Sequence, residues 1–268
     1  MTPVVYSRWI PGFILPLFML GLTVGSFLNV CIDRIPRNRS VVTPRSHCES
    51  CGRSLGLPDL IPVFSFLILK GRCRYCQSPL NPRMPFVELI TGSLYVALLF
   101  RFGAQWRLLL YGILASVLIV VSITDLEWMV IPDPAVVLGV CPAMIFIFLG
   151  QGPNVFDALT GALTGGGFLL IMGFFSKWIL KKEGMGGGDI KLMAMSGLYL
   201  GWRYTLLALV FASALGGAAA LALVLKDRKN LQAEIPFGPL LSIGVLCVVF
   251  FGNSVVDFYT RHFLGMGS

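Results

Sequence analysis

Charge is what this sequence has least of. Only 13% of its 268 residues are Asp, Glu, Lys or Arg, against about 25% in a soluble domain. That shortage excludes an ordinary water-soluble globular protein. Acidic residues are the rarer sign, 13 against 21 basic ones, so each carboxylate inside an apolar stretch has to be explained. No internal repeat and no disordered tail stand out. The first apolar run, Pro11 to Val30, lacks a small-x-small cleavage site and is followed by a basic segment. It therefore reads as a retained span rather than a signal peptide. The glycine-rich fingerprint of a Rossmann dinucleotide site is also missing.

What is present is hydrophobic: 56% of the chain. Apolar runs fall at about 11–31, 86–101, 107–124, 134–150, 156–180, 190–200, 203–225 and 237–258. Spans need about 20 apolar residues each. The expected fold is an all-α polytopic membrane protein of about eight transmembrane helices, with a small cytosolic zinc-ribbon-like domain between the first two. The expected partition is a first helix over 1–31, a zinc-binding domain over 32–85 and a transmembrane core over 86–268. Runs 86–101 and 190–200 are short, which suits tilted or partly re-entrant segments lining a cavity. Small residues cluster at Gly161–Gly167 and Ala212–Ala220, as close helix packing requires.

The net charge of +8 would suit a nucleic-acid binder if it were spread over a soluble surface. Instead, nine basic residues against three acids lie between Asp33 and Pro85, a local net charge of +6. A basic loop beside a first span is cytosolic by the positive-inside rule and can meet anionic lipid. The expected partners are therefore the bilayer and no nucleic acid. With the N-terminus outside, segments 32–85, 125–133, 181–189 and 226–236 face the cytosol. They and their margins hold 16 of the 21 Lys and Arg residues.

Four of the seven cysteines form two pairs, Cys48–Cys51 and Cys73–Cys76, each C-x2-C, with 21 residues between the pairs. This is zinc-ribbon spacing. Four thiolates close a tetrahedral site, so the metal would be structural, and a segment of about 50 residues with few large apolar side chains needs such a staple. Two disulfides or four free thiols are the alternatives, and disulfides are disfavoured in a cytosolic loop. Gly52 and Gly71 are read as knuckle glycines. His47 is not needed as a ligand. Cys31, Cys141 and Cys247 read as packing residues.

Two acids stand in unusual surroundings. Asp125 ends an apolar run and opens the stretch to Ile131, Pro132 and Asp133. Asp189 closes a glycine cluster, Gly184 to Gly188 around Met185, and leads into Ile190, Lys191 and Leu192. A carboxylate at a membrane segment is costly unless paired or wet. Two that meet can share a proton and activate water. Gly186, Gly187 and Gly188 offer torsions closed to other residues and room for a substrate backbone. Blander readings stand beside these: an interfacial charge for Asp125, a capped turn for Asp189, a helix cap for Asp133. The charge pattern puts Asp125 and Asp189 on the same side. Glu88, near the start of a span, would pair with Arg83 or bind a ligand.

The ordered set of motifs resembles the type IV prepilin peptidases, of the GxGD class of membrane aspartyl proteases, along nearly the whole chain. It comprises Gly25 to Val30 with Arg34 to Pro36, the two cysteine pairs, and Pro85 to Gly92. Asp125 through Asp133, Gly186 through Leu192, and Ile235 to Leu240 complete it. The resemblance implies an inner-membrane enzyme that cuts the basic leader from prepilins or pseudopilins and methylates the new N-terminus with S-adenosyl-L-methionine. It implies Asp125 and Asp189 as the catalytic pair, with Gly186, Gly187, Gly188 and Lys191 as the supporting loop. Arg83, Glu88 and Gly92 are the candidates for methyl transfer. The basic 32–85 segment would repel a basic leader, so it is not expected to hold one by charge. A proton-coupled transporter using the same carboxylates and a non-catalytic zinc scaffold are the competing readings. Oligomeric state is left open.

Overall fold

The computed structural model describes residues 10–180, 186–226 and 236–263. Gly184 and Met185 of the glycine cluster, and Ile235, lie outside them. Every regular element among the described residues is helical, with only two isolated β-bridges. The chain divides into two compact units, Met1–Val120 and Val121–Ser268.

The first unit contains α1 (Ile10–Arg34), a 3-10 turn (Leu57–Leu60), the short α2 (Phe64–Ile68), α3 (Arg83–Phe102) and the first part of α4 (Trp106–Trp128). α1 and α3 pack against each other where side chains are missing. A Cβ on Gly21 would stand 2.6 Å from Gly92 Cα, and one on Gly25 2.6 Å from Glu88 Cα. Above that crossing the contacts become polar. Asn29 Nδ2 donates to Met84 O at 3.0 Å, and Arg83 Nη2 donates to Asp33 Oδ1 at 2.7 Å.

The second unit holds the end of α4, then α5 (Asp133–Phe148), α6 (Val155–Leu180), α7 (Gly187–Leu200), α8 (Trp202–Lys226) and α9 (Gly238–Phe263). α7 touches α5, α6, α8 and α9 and buries Leu192, Met193, Met195, Leu198 and Tyr199. α6 and α7 approach until the backbone of Gly161 meets that of Gly197. Of the Gly161–Gly167 cluster, Gly161, Gly165 and Gly166 face α7, while a Cβ on Gly167 would meet none of the described residues. In the second cluster Ala212 packs against Gly244, and a Cβ on Gly217 would meet none of the described residues.

Among the described residues six helices are long and apolar enough to cross a membrane: α1, α3, α4, α6, α8 and α9. α5 is apolar but shorter. The run expected at 86–101 is a full 20-residue helix, because Arg83 to Pro85 continue it backward. The 190–200 run becomes the 14-residue α7, only about 21 Å long at 1.5 Å per residue. That is less than the hydrocarbon thickness, and α7 is covered by protein instead.

Candidate active site and cysteine cluster

α4 delivers Asp125 in its last turn, and α7 delivers Asp189 in its first. Both carboxylates are buried and lie within electrostatic reach of each other. Each lies at the amino end of a helix. The backbone N–H of Gly238, at the start of α9, donates to Asp125 Oδ2 at 2.8 Å. Asp189 sits in the first turn of α7, close to the capping residue Gly186, where a Cβ would stand 3.3 Å from Asp189 Oδ2. Helix amino ends carry partial positive charge and unused donors, so they favour ionised carboxylate where water is scarce. Such ends counter only part of what burial and like-charge repulsion impose on the pair, which leaves it suited to sharing one proton.

The glycines work here by leaving space. None of Gly186, Gly187 and Gly188 takes a positive φ; Gly186 is extended and the other two begin α7. The expectation of special torsions is therefore corrected for these three. A Cβ on Gly188 would fall 2.7 Å from Ile131 Cβ, so its bareness lets the α4–α5 connection close over α7. Among the described residues, nothing lies within 4 Å of where a Cβ on Gly187 would be. Gly238 is equally constrained: a Cβ there would stand 2.8 Å from Asp125 Oδ2.

Lys191 pairs with Asp133. Its Nζ donates to Asp133 Oδ1 at 2.6 Å in an exposed ion pair. Asp133 is not the helix cap expected of it: Pro132 occupies the cap and Asp133 is the first residue of α5. The Ile235–Leu240 motif marks this stretch in the sequence, but nothing local assigns Gly238 a task. Its signal was the motif alone, since 113 residues separate it from Asp125.

In the first unit, Cys48, Cys51, Cys73 and Cys76 converge with all four Sγ atoms within 4.8 Å of one another. Tetrahedral zinc with bonds of about 2.3 Å needs sulfurs about 3.8 Å apart, the spacing of Cys48 and Cys76. The two knuckles share one backbone pattern. Gly52 N–H donates to Cys48 O and Gln77 N–H to Cys73 O; Cys48 N–H donates to Arg53 O and Cys73 N–H to Ser78 O. The bridges His47–Ser54 and Arg72–Pro79 repeat the same offset of 25 residues. Gln77, at φ +60°, is the partner of Gly52 at +69°, a role the sequence had suggested for Gly71. This repeat was invisible in sequence because hydrogen bonds carry it and side chains do not. The Cys48 thiol is lowered to about 6, first by the backbone N–H of Cys51 and further by Ser78, which favours the thiolate that binds metal. Cys31 is buried, whereas Cys141 is exposed and so is not the packing residue expected.

A cavity of about 570 Å³ lies in the same unit, lined by Asn29, Asp33, Arg34, Arg37 and Glu88 among others. Glu88 does not pair with Arg83. Its Oε2 accepts from the backbone N–H of Val63 at 2.7 Å, while Arg83 holds Asp33. Gly92 lies away from the cavity lining, against Phe18 and Leu22 of α1.

A family model described as the bacterial peptidase A24 N-terminal domain matches residues 19–102. One described as the type IV leader peptidase family matches residues 112–221. Curated proteins named prepilin leader peptidase/N-methyltransferase are similar over most of the chain. The Aeromonas hydrophila protein is 33% identical, covering 92% of this chain and 93% of its own. The Bacillus subtilis protein is 33% identical over 93% and 98%. The Myxococcus xanthus protein is 40% identical over 80% and 64%. No solved structure matches.

Proposed function

The chain belongs to the type IV leader peptidase family, and from that premise we propose that it is a bifunctional inner-membrane enzyme. It cuts the basic leader from prepilins or pseudopilins and methylates the amine it uncovers. The observation that carries the peptidase is the buried pair Asp125 and Asp189, the first held by the amino end of α9 and the second set in the first turn of α7. One carboxylate is ionised and takes a proton from a water between the two. The other is protonated and donates to the scissile carbonyl oxygen. The assignment belongs to the pair, not to either residue. The open side at Gly187 gives an extended substrate backbone room to approach, and Gly188 keeps the α4–α5 connection close. Lys191 supports this loop through its ion pair with Asp133.

The cysteine cluster is read as structural zinc, since its spacing suits tetrahedral thiolate and leaves no ligand position open. S-adenosyl-L-methionine supplies an electrophilic methyl group, and the first-unit cavity suits such a ligand. Its size is that of a small-molecule site, and its wall carries both Asp33 and Glu88 and the cations Arg34 and Arg37. Asn29 adds a buried acceptor. Two backbone carbonyls, of Gly25 and Met84, take its Nδ2, and its Oδ1 has no partner among the described residues. Glu88 holds the wall through Val63, Arg83 positions Asp33, and Gly92 permits the close α1–α3 crossing on which the cavity rests. The catalytic pair is assigned to the cytosolic face on the basis of the basic loops.

The test is cleavage of purified prepilin in detergent by the wild type, Asp125→Asn and Asp189→Asn, with mass spectrometry of the product N-terminus. Each variant should leave the leader attached, and wild-type product should carry one added methyl. Normal cleavage by either variant sinks the dyad. Unmethylated wild-type product, with the methyl donor present, sinks the second activity.

A further inference from the structure

The segment 57–68 shows a face that a water-solvated domain does not present. Leu57, Leu60, Ile61, Phe64, Leu67 and Ile68 are all exposed, with Leu57 at 85%, Leu67 at 63% and Ile68 at 75%. Six large apolar side chains within twelve positions form a patch, and patches mark interaction sites where single exposed residues do not. The 3-10 turn and α2 pack against each other. Leu57 and Leu60 belong to the 3-10 turn, Phe64, Leu67 and Ile68 to α2, and Ile61 to the link between them. The single acid in the segment, Asp59, turns away: its side chain is buried and receives Arg74 Nε at 2.6 Å. Cations follow directly, with Lys70 and Arg72 both exposed.

A hydrogen bond fixes the height of this patch. Val63 N–H donates to Glu88 Oε2, and Glu88 sits five residues inside α3, a helix long and apolar enough to cross a membrane. Five residues are about 8 Å along a helix. The polar collar of Asp33, Arg83 and Asn29 marks the start of that span. The tie therefore holds the Val63 backbone beside the first turns of that span, near where the chain enters the bilayer. That backbone is irregular there, with φ +62°. Non-helical backbone at membrane depth needs its polar groups satisfied by protein, and the buried Glu88 carboxylate does this for the Val63 N–H.

We infer that residues 57–68 form an interfacial lipid-binding segment. Its apolar face inserts into the headgroup–acyl boundary beside α3, and Lys70 and Arg72 meet anionic headgroups. Such segments combine an apolar face with flanking cations. Glu88 acts as the tie that sets their depth, so the cysteine domain is fastened to the membrane surface at a third point besides α1 and α3.

The test uses the full chain in bilayers containing anionic phospholipid. Photoreactive benzoylphenylalanine is incorporated separately at Leu57, Leu67 and Ile68, and at Glu49 as the control, whose side chain is 80% exposed. After irradiation, mass spectrometry should find phospholipid adducts at the three apolar positions and none at Glu49. Adducts only to a second protein chain would make the patch a protein-docking face and overturn the inference. Absence of adducts at all three positions, or equal adducts at Glu49, would overturn it too. As a second measurement, Glu88→Gln removes the charge but can still accept from Val63, so lipid adducts at Ile68 should persist. Glu88→Ala should reduce them.

Discussion

Gly238 donates its backbone N–H to Asp125 Oδ2 over 2.8 Å, across 113 residues of chain. That bond joins the end of α4 to the amino end of α9 and aims one carboxylate of the pair. Gly238→Ala would force a Cβ to within 2.8 Å of the same oxygen. We expect leader cleavage to fall roughly a hundredfold, the cost of displacing a reacting group by about 1 Å. Methylation of a pilin already lacking its leader should continue. Single-turnover assays with the two substrates read the two activities apart, and wild-type cleavage by this variant would count against the aimed carboxylate.

The two aspartates should fail as a unit. Asp125→Asn combined with Asp189→Asn should cleave no worse than either single variant, because groups that act together give strongly non-additive losses. Multiplying losses in the double variant would indicate independent roles.

The Lys191–Asp133 bridge is short but exposed on both sides, at 54% and 65%. Exposed pairs are worth about 0–1 kcal/mol. Lys191→Ala should change stability by less than about 1 kcal/mol and leave cleavage close to wild type. A large drop in cleavage at unchanged stability would move Lys191 from a supporting residue to one that contacts substrate.

Metal analysis should find zinc in the purified protein, and Cys48→Ser or Cys76→Ser should lose it, since either change opens the four-thiolate site. The expected consequence is loss of the first unit's order, read as faster hydrogen exchange over residues 46–80, and loss of methyl transfer. Full zinc retention in both variants would show that the cluster is not the metal site.

Asp59 gives a pH signature. The Arg74 guanidinium, with help from the Gly56 N–H, holds its carboxyl below the ordinary range. A carboxylate stabilised in this way adds stability above its unfolded pKa of about 3.9, and loses that contribution as pH falls through its lower folded value. Arg74→Ala should therefore loosen residues 56–60 relative to wild type at neutral pH. The difference should close once acid protonates Asp59 in both proteins. Hydrogen exchange at a series of pH values measures it, and a gap independent of pH would assign the effect to packing.

Much of this was legible in sequence because it depends on local chemistry or on counting. Hydropathy announces membrane helices wherever apolar residues run long enough, and C-x2-C pairs bring two thiolates to one knuckle with little help from the rest of the fold. Asp125 and Asp189 stood out because carboxylates in apolar sequence are expensive. The special torsions expected of Gly186 to Gly188 were not legible. Glycine permits both unusual angles and close approach, and only the neighbours at Ile131 and Asp189 show that space is what is used.

The sequence by itself determined that the chain enters a bilayer, that it carries a four-cysteine cluster, and which carboxylates are too costly to be incidental. Each follows from transfer free energy or from short-range spacing, which residues express wherever they are placed. Tertiary structure decided that Gly238 holds Asp125, that Lys191 turns to Asp133, and that Glu88 reaches Val63 rather than Arg83. Those pairings join residues 25 to 113 positions apart. They depend on how helices cross, and composition and local pattern carry no record of that.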